Sequence, residues 1–79
     1  MNNSSEKLLQ LQKTCIQALR NYIREAGKTC AILEDINTFP VSTEAKLRIL
    51  EQRQLENAAH ERYQHARRNL FAAAWSELP

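Results

Sequence analysis

Apolar residues in the first half of the chain recur mostly in steps of three and four: Leu8, Leu11, Cys15, Leu19, Tyr22, Ile23, Ala26, Cys30 and Leu33. That spacing lines one face of a helix. Ile16 widens the stripe, while Lys13, Gln17, Arg20, Arg24 and Lys28 fall on the opposite side. The pattern predicts one amphipathic helix over about residues 5–35, with capping residues on offer between Asn2 and Ser5. Gly27 interrupts it at about 1 kcal/mol relative to Ala and is expected to mark a bend or a close backbone contact.

Asn37-Thr38-Phe39-Pro40-Val41-Ser42 breaks the pattern. Pro40 disfavours helical geometry at Phe39, so residues 36–42 read as a turn, with Phe39 and Val41 tucked onto the hairpin end. Ser42 or Thr43 can cap a second helix over about residues 43–76, with Glu44 in its first turn complementing the dipole and pairing with Arg48. Leu78-Pro79 is a natural stop.

Two long helices joined by a short connection pack antiparallel. Folding at the turn sets Leu33 near Leu47, Cys30 near Leu50, Ile23 and Ala26 near Leu55, Cys15 near Ala66, and Leu8 near Ala73. The expected fold is therefore an all-α antiparallel hairpin, a single domain over residues 1–79. On the second helix, Leu55, Ala59, Arg62, Ala66, Leu70 and Ala73 have coiled-coil-like steps, and their alanines invite close approach. Arg62 is the odd member: it must snorkel outward or meet a carboxylate or phosphate from a partner. Phe71 and Trp75, one turn apart, point away from this seam, and Ile49 is expected on the same outer side.

Length changes the picture. A 79-residue chain buries only about 60% of its unfolded surface, so a helical pair is thin without help from disulfides, metal or association. Cys15 and Cys30 are roughly 22 Å apart on one straight helix, beyond the reach of a disulfide. Both read as small buried hydrophobes. Self-association, as a dimer, or a larger protein partner is left to complete the bundle. Phe71 and Trp75 are the expected anchors, with Leu55, Ala59, Arg62 and Ala66 in the contact.

Composition and chemistry narrow the function classes. The net charge of +2 is too mild to argue for nucleic acid by itself. Lys13, Arg20, Arg24 and Lys28 nevertheless form a ridge on the first helix, joined by Arg67 and Arg68 on the second, and this is the alternative, nucleic-acid-binding reading. His60 and His65 are five residues apart, off the helical spacing of metal pairs, and no cofactor or metal is expected. Cys15 could approach His65 across the hairpin, but no third group orients them, so no enzyme is expected. The polar start Met1–Glu6 is unlike a secretory leader, and no stretch of 18 apolar residues is present to span a membrane. The chain reads as a cytoplasmic protein–protein interaction module of the adaptor, chaperone, assembly-factor or inhibitor kind.

Overall fold

The computed structural model describes residues 3–76, which form two helices: α1, Asn3–Glu34, and α2, Thr43–Ser76. Asn2 and the Leu78-Pro79 stop lie outside the described residues. The helices lie antiparallel in a rod of 60 × 16 × 14 Å with a radius of gyration of 17.9 Å, against about 12 Å for a compact chain of this length. Among the described residues each helix thus packs against the other alone, and most of its circumference is open.

The ends are built as local chemistry dictates. Ser42 caps α2: its Oγ accepts from the Ala45 N–H at 3.1 Å, and its carbonyl accepts from Lys46 N–H at 3.0 Å. At the C-terminus of α1 the chain tightens, with Ile36 N–H donating to the Leu33 carbonyl. Val41 closes the hairpin end with Ile32, Ile36 and Ala45. Phe39, expected to tuck in beside it, is instead 80% exposed. Glu44 and Arg48 do not pair either; among the described residues the one ion pair is Lys28–Glu25 at 3.1 Å. Gly27 makes neither a bend nor a close contact: it lies within α1, with nothing within 4 Å of the place a Cβ would occupy.

The line of contact is the informative feature. On α1 it runs through Leu8, Leu11, Cys15, Ala18, Tyr22, Glu25, Thr29 and Ile32, and continues to Ile36 just beyond the helix. On α2 it runs through Ala45, Ile49, Gln52, Glu56, Ala59, Tyr63, Ala66, Leu70 and Ala73, all buried or half-buried. Both sets alternate steps of three and four without a break, a mean period of 3.5. Ala59, at 1% exposure, and Ala66 let the helices close up near the middle. Beside Ala59 the Tyr22 ring stacks almost parallel to Tyr63, centroids 6.3 Å apart, and tilts against His60 at 4.9 Å.

The expected register survives, but half of the expected faces do not. Cys15 near Ala66 and Leu8 near Ala73 belong to the seam. Towards the turn, Ile23, Cys30, Leu33, Leu47, Leu50 and Leu55 are exposed. In their place the seam carries polar side chains. Gln52, buried, donates through Nε2 to the Glu25 carbonyl and to Glu25 Oε2, both at 2.9 Å. The Thr29 hydroxyl donates to the same carbonyl at 3.3 Å. No buried side-chain N or O among the described residues lacks a partner.

The cause is a mismatch of periods. A stripe that follows the helix itself repeats every 3.6 residues, and drifts about 20° per heptad from a 3.5-residue contact line, which helices keep by winding gently about each other. The α1 stripe starts in the seam at Leu8 and Cys15 and has walked onto the flank by Leu19 and Ile23. Satisfied hydrogen bonds then make a polar seam tolerable where the apolar residues have left.

Candidate interaction surfaces

Each helix presents two flanks beside the seam, and they differ in chemistry. Residues that follow a seam position along the chain share one flank. On α1 these are Leu9, Gln12, Ile16, Leu19, Ile23, Ala26, Cys30 and Leu33, an almost unbroken apolar column. Leu9, Ile16, Ile23 and Leu33 are 55%, 42%, 60% and 53% exposed. On α2 the same flank carries Lys46, Leu50, Arg53, His60, Arg67, Phe71 and Ala74. Leu9, Gln12, Phe71 and Ala74 line a common shallow cleft at the open end. The Arg67 guanidinium lies over the Phe71 ring, 5.3 Å from its centroid, a cation–π geometry. No Asp or Glu occupies a position on this flank.

Residues that precede a seam position share the other flank. There Thr14, Gln17, Asn21 and Arg24 of α1, with Arg20 at the outer edge, line a groove of about 720 Å³ together with Arg62, His65 and Asn69 of α2. Ala18 and Ala66 form its floor, shallow side chains that leave room above the seam.

The sequence-derived site residues divide as follows. Phe71, at 56% exposure, and Trp75, at 78%, point outward as expected, Phe71 onto the apolar flank and Trp75 onto the outer side of α2. Ala59 and Ala66 are buried against α1 within the hairpin, and Ala66 is reached from outside only through the groove floor. Leu55 is 56% exposed, and Arg62 lies on the groove edge. Neither belongs to the seam, where Glu56 and Tyr63 stand instead. Ile49 is in the seam rather than on the outer side.

The basic ridge also separates. Arg20 and Arg24 line the groove, joined by Arg62. Lys28 is committed to Glu25. Lys13 is exposed on the outer side of α1. Arg67 stands with Phe71 on the opposite flank, and Arg68 on the outer side of α2. The six cations do not form one surface.

Two titratable groups are displaced. The hydrogen bonds from Gln52 and then Lys28 hold the Glu25 carboxyl below the ordinary carboxylate range. The Cys30 thiol donates to Glu34 Oε1 at 3.3 Å, and that bond, with the carboxylate charge, pushes it above an ordinary thiol. Cys30 is exposed, contrary to expectation, whereas Cys15 is buried; both are free thiols. Cys15 sits in the seam and does not line the groove beside His65. Among the described residues no three His, Cys, Asp or Glu side chains gather as a metal requires. No described helix is long and apolar enough to cross a membrane.

Of these column residues, Ile23 and Leu33 were expected to face inward and Ile16 to widen the stripe, while Leu9 stood out by no spacing. The signal that could have placed them was the period: summed over four turns, 3.6 and 3.5 diverge enough to move a side chain off the contact line. No family model matches the chain, and no curated protein or solved structure matches it.

Proposed function

We propose that this protein is a small protein–protein interaction module that receives an amphipathic helix on the flank carrying the α1 apolar column. The observation that supports this is the alignment of Leu9, Ile16, Ile23 and Leu33 in the open, on a helix whose only neighbour lies to one side. A large contiguous apolar surface marks an interaction site. One face of the rod, 60 × 16 Å, projects roughly 900 Å², against about 800 Å² per partner in a standard interface.

Charge narrows the occupant. Lys46, Arg53 and Arg67 border the column along α2, none of them in an ion pair among the described residues. A partner helix with an apolar stripe and an acidic edge satisfies both features, its carboxylates meeting these cations at the rim. A second copy brings like charges, Lys46, Arg53 and Arg67, to face these cations. Phe71 and Leu50 extend the apolar area onto α2 at either end. Two free thiols suit a reducing compartment, in keeping with a cytoplasmic adaptor, chaperone, assembly factor or inhibitor.

The test uses two synthetic amphipathic peptides with one apolar stripe, edged by Glu in the first and by Lys in the second. The Glu-edged peptide is expected to bind the full chain, to lose affinity with Ile23→Asp, and to lose it with Arg53→Glu and Arg67→Glu together. Those reversed variants should then prefer the Lys-edged peptide. Equal binding of both peptides, or binding indifferent to Ile23→Asp, contradicts the proposal. A light-scattering mass of a dimer that Ile23→Asp dissociates would instead assign the flank to self-association.

A further inference from the structure

The groove on the opposite flank is a separate feature with separate chemistry. Three arginines, Arg20, Arg24 and Arg62, and His65 line it from both helices. The chain contains nine acidic residues, yet none lines this groove, and none of the three arginines has a salt-bridge partner among the described residues. Like charges held around one concavity raise the local potential and draw in an anion. The arginine fork matches phosphate oxygens in a bidentate manner, and Asn21 and Asn69 add neutral donors at the rim.

Size and lining define the anion. About 720 Å³ is within the range of small-ligand sites, roughly 300–1,000 Å³, and far exceeds the needs of one phosphate. Arg20 and Arg24 are one helical turn apart, about 6 Å along α1, and Arg62 to Asn69 spans about 10 Å along α2. Donors are therefore distributed along the groove instead of being focused on a point. No Phe, Tyr or Trp lines it, so a nucleobase lacks the stacking platform those rings provide.

We infer that the groove between α1 and α2 binds an oligophosphate, a run of two or more linked phosphate groups, held by Arg20, Arg24 and Arg62. The phosphates come free as an inorganic chain or as the tail of a nucleotide; the groove recognises the part common to both. This inference does not depend on the helix-binding flank, which faces the other way.

The experiment titrates inorganic tripolyphosphate into the isotope-labelled full chain and follows backbone and side-chain resonances. Shifts are expected at Asn21, Arg24, Arg62 and Asn69. Affinity should fall at least about tenfold in Arg24→Gln with Arg62→Gln, the loss of charge-assisted hydrogen bonds. Arg53→Gln with Arg67→Gln, on the other flank, should leave it unchanged. Circular dichroism of each variant checks that the exposed substitutions preserve the helices. A nucleoside triphosphate binding with the same resonances and comparable affinity identifies the phosphate tail as the ligand in that arm; binding of the inorganic chain alone assigns the groove to free oligophosphate. Equal losses in the two double variants, or shifts spread along the rod, overturn the inference. So does a Glu-rich peptide that fills the groove where tripolyphosphate does not.

Discussion

Ile23→Ala separates the observed seam from the alternative in which the apolar stripe of α1 is the core. Ile23 is 60% exposed and immediately follows Tyr22, which is in the seam. The substitution removes three methylene equivalents, each worth about 0.8 kcal/mol when fully buried. With two-fifths of the side chain covered, the loss is about 1 kcal/mol. Alanine's better helix propensity returns about 0.4 kcal/mol. The net destabilisation is about 0.5 kcal/mol, a shift of roughly 2–4 °C in Tm for a domain of this size. The assay is a thermal melt by circular dichroism at low micromolar concentration, repeated at several dilutions so that any association shows as a concentration-dependent midpoint. Were Ile23 a core residue, truncation would cost about 2–5 kcal/mol. A loss above about 2 kcal/mol at every dilution refutes the placement of this residue on an open flank.

At the same level of the rod, Ala59→Leu should cost more: Ala59 is 1% exposed, and overpacking there should destabilise by about 1–3 kcal/mol in urea titration, whereas a Leu that is tolerated would mean the helices are farther apart. Gly27→Ala meets open space inside α1, so it should stabilise by about 0.5–1 kcal/mol; a lower Tm would reveal a contact on Gly27. The Glu25 carboxyl titrates below its ordinary range because Gln52 and Lys28 donate to it. Its contribution is therefore fully present above the unfolded carboxylate value, about 4.3, and is lost as pH falls through the lowered folded value. Gln52→Ala should lower Tm at pH 7 and shrink the part of the acid-induced drop that comes from Glu25; an unchanged pH profile would dissociate Gln52 from that carboxylate.

The helices, the Ser42 cap, the turn and the antiparallel register could be read from residue types and spacing alone. These features are set locally: capping needs one hydroxyl, and the turn needs Pro40. The rotation of each helix about its own axis is different, because it depends on which of two adjacent faces wins over the whole length. Ile23, Ala26, Cys30 and Leu33 are the more hydrophobic face near the turn, yet Glu25, Thr29 and Gln52 occupy the contact. What decides is the 3.5-residue contact line kept over the whole length, anchored by Ala59 and Ala66 and by the Tyr22–Tyr63 stack, together with a hydrogen-bond network spanning 27 residues of sequence. Neither is visible as a motif. The groove was half legible: Arg20 and Arg24 stood out as a ridge, and Arg62 as an anomaly. Only the packed hairpin brings them to one place.

Thiol alkylation, resolved site by site by peptide mass mapping and referenced to the unfolded chain, tests the central claim most directly. The two cysteines report on the two faces without any substitution: Cys15 is buried in the seam and Cys30 is exposed on the apolar flank. At a pH high enough to offset the raised Cys30 thiol, Cys30 should react at nearly the unfolded rate, and Cys15 only as fast as the hairpin opens. Protection of Cys30 to the same degree as Cys15 in the dilute native chain would put the apolar stripe back in the core and contradict the account.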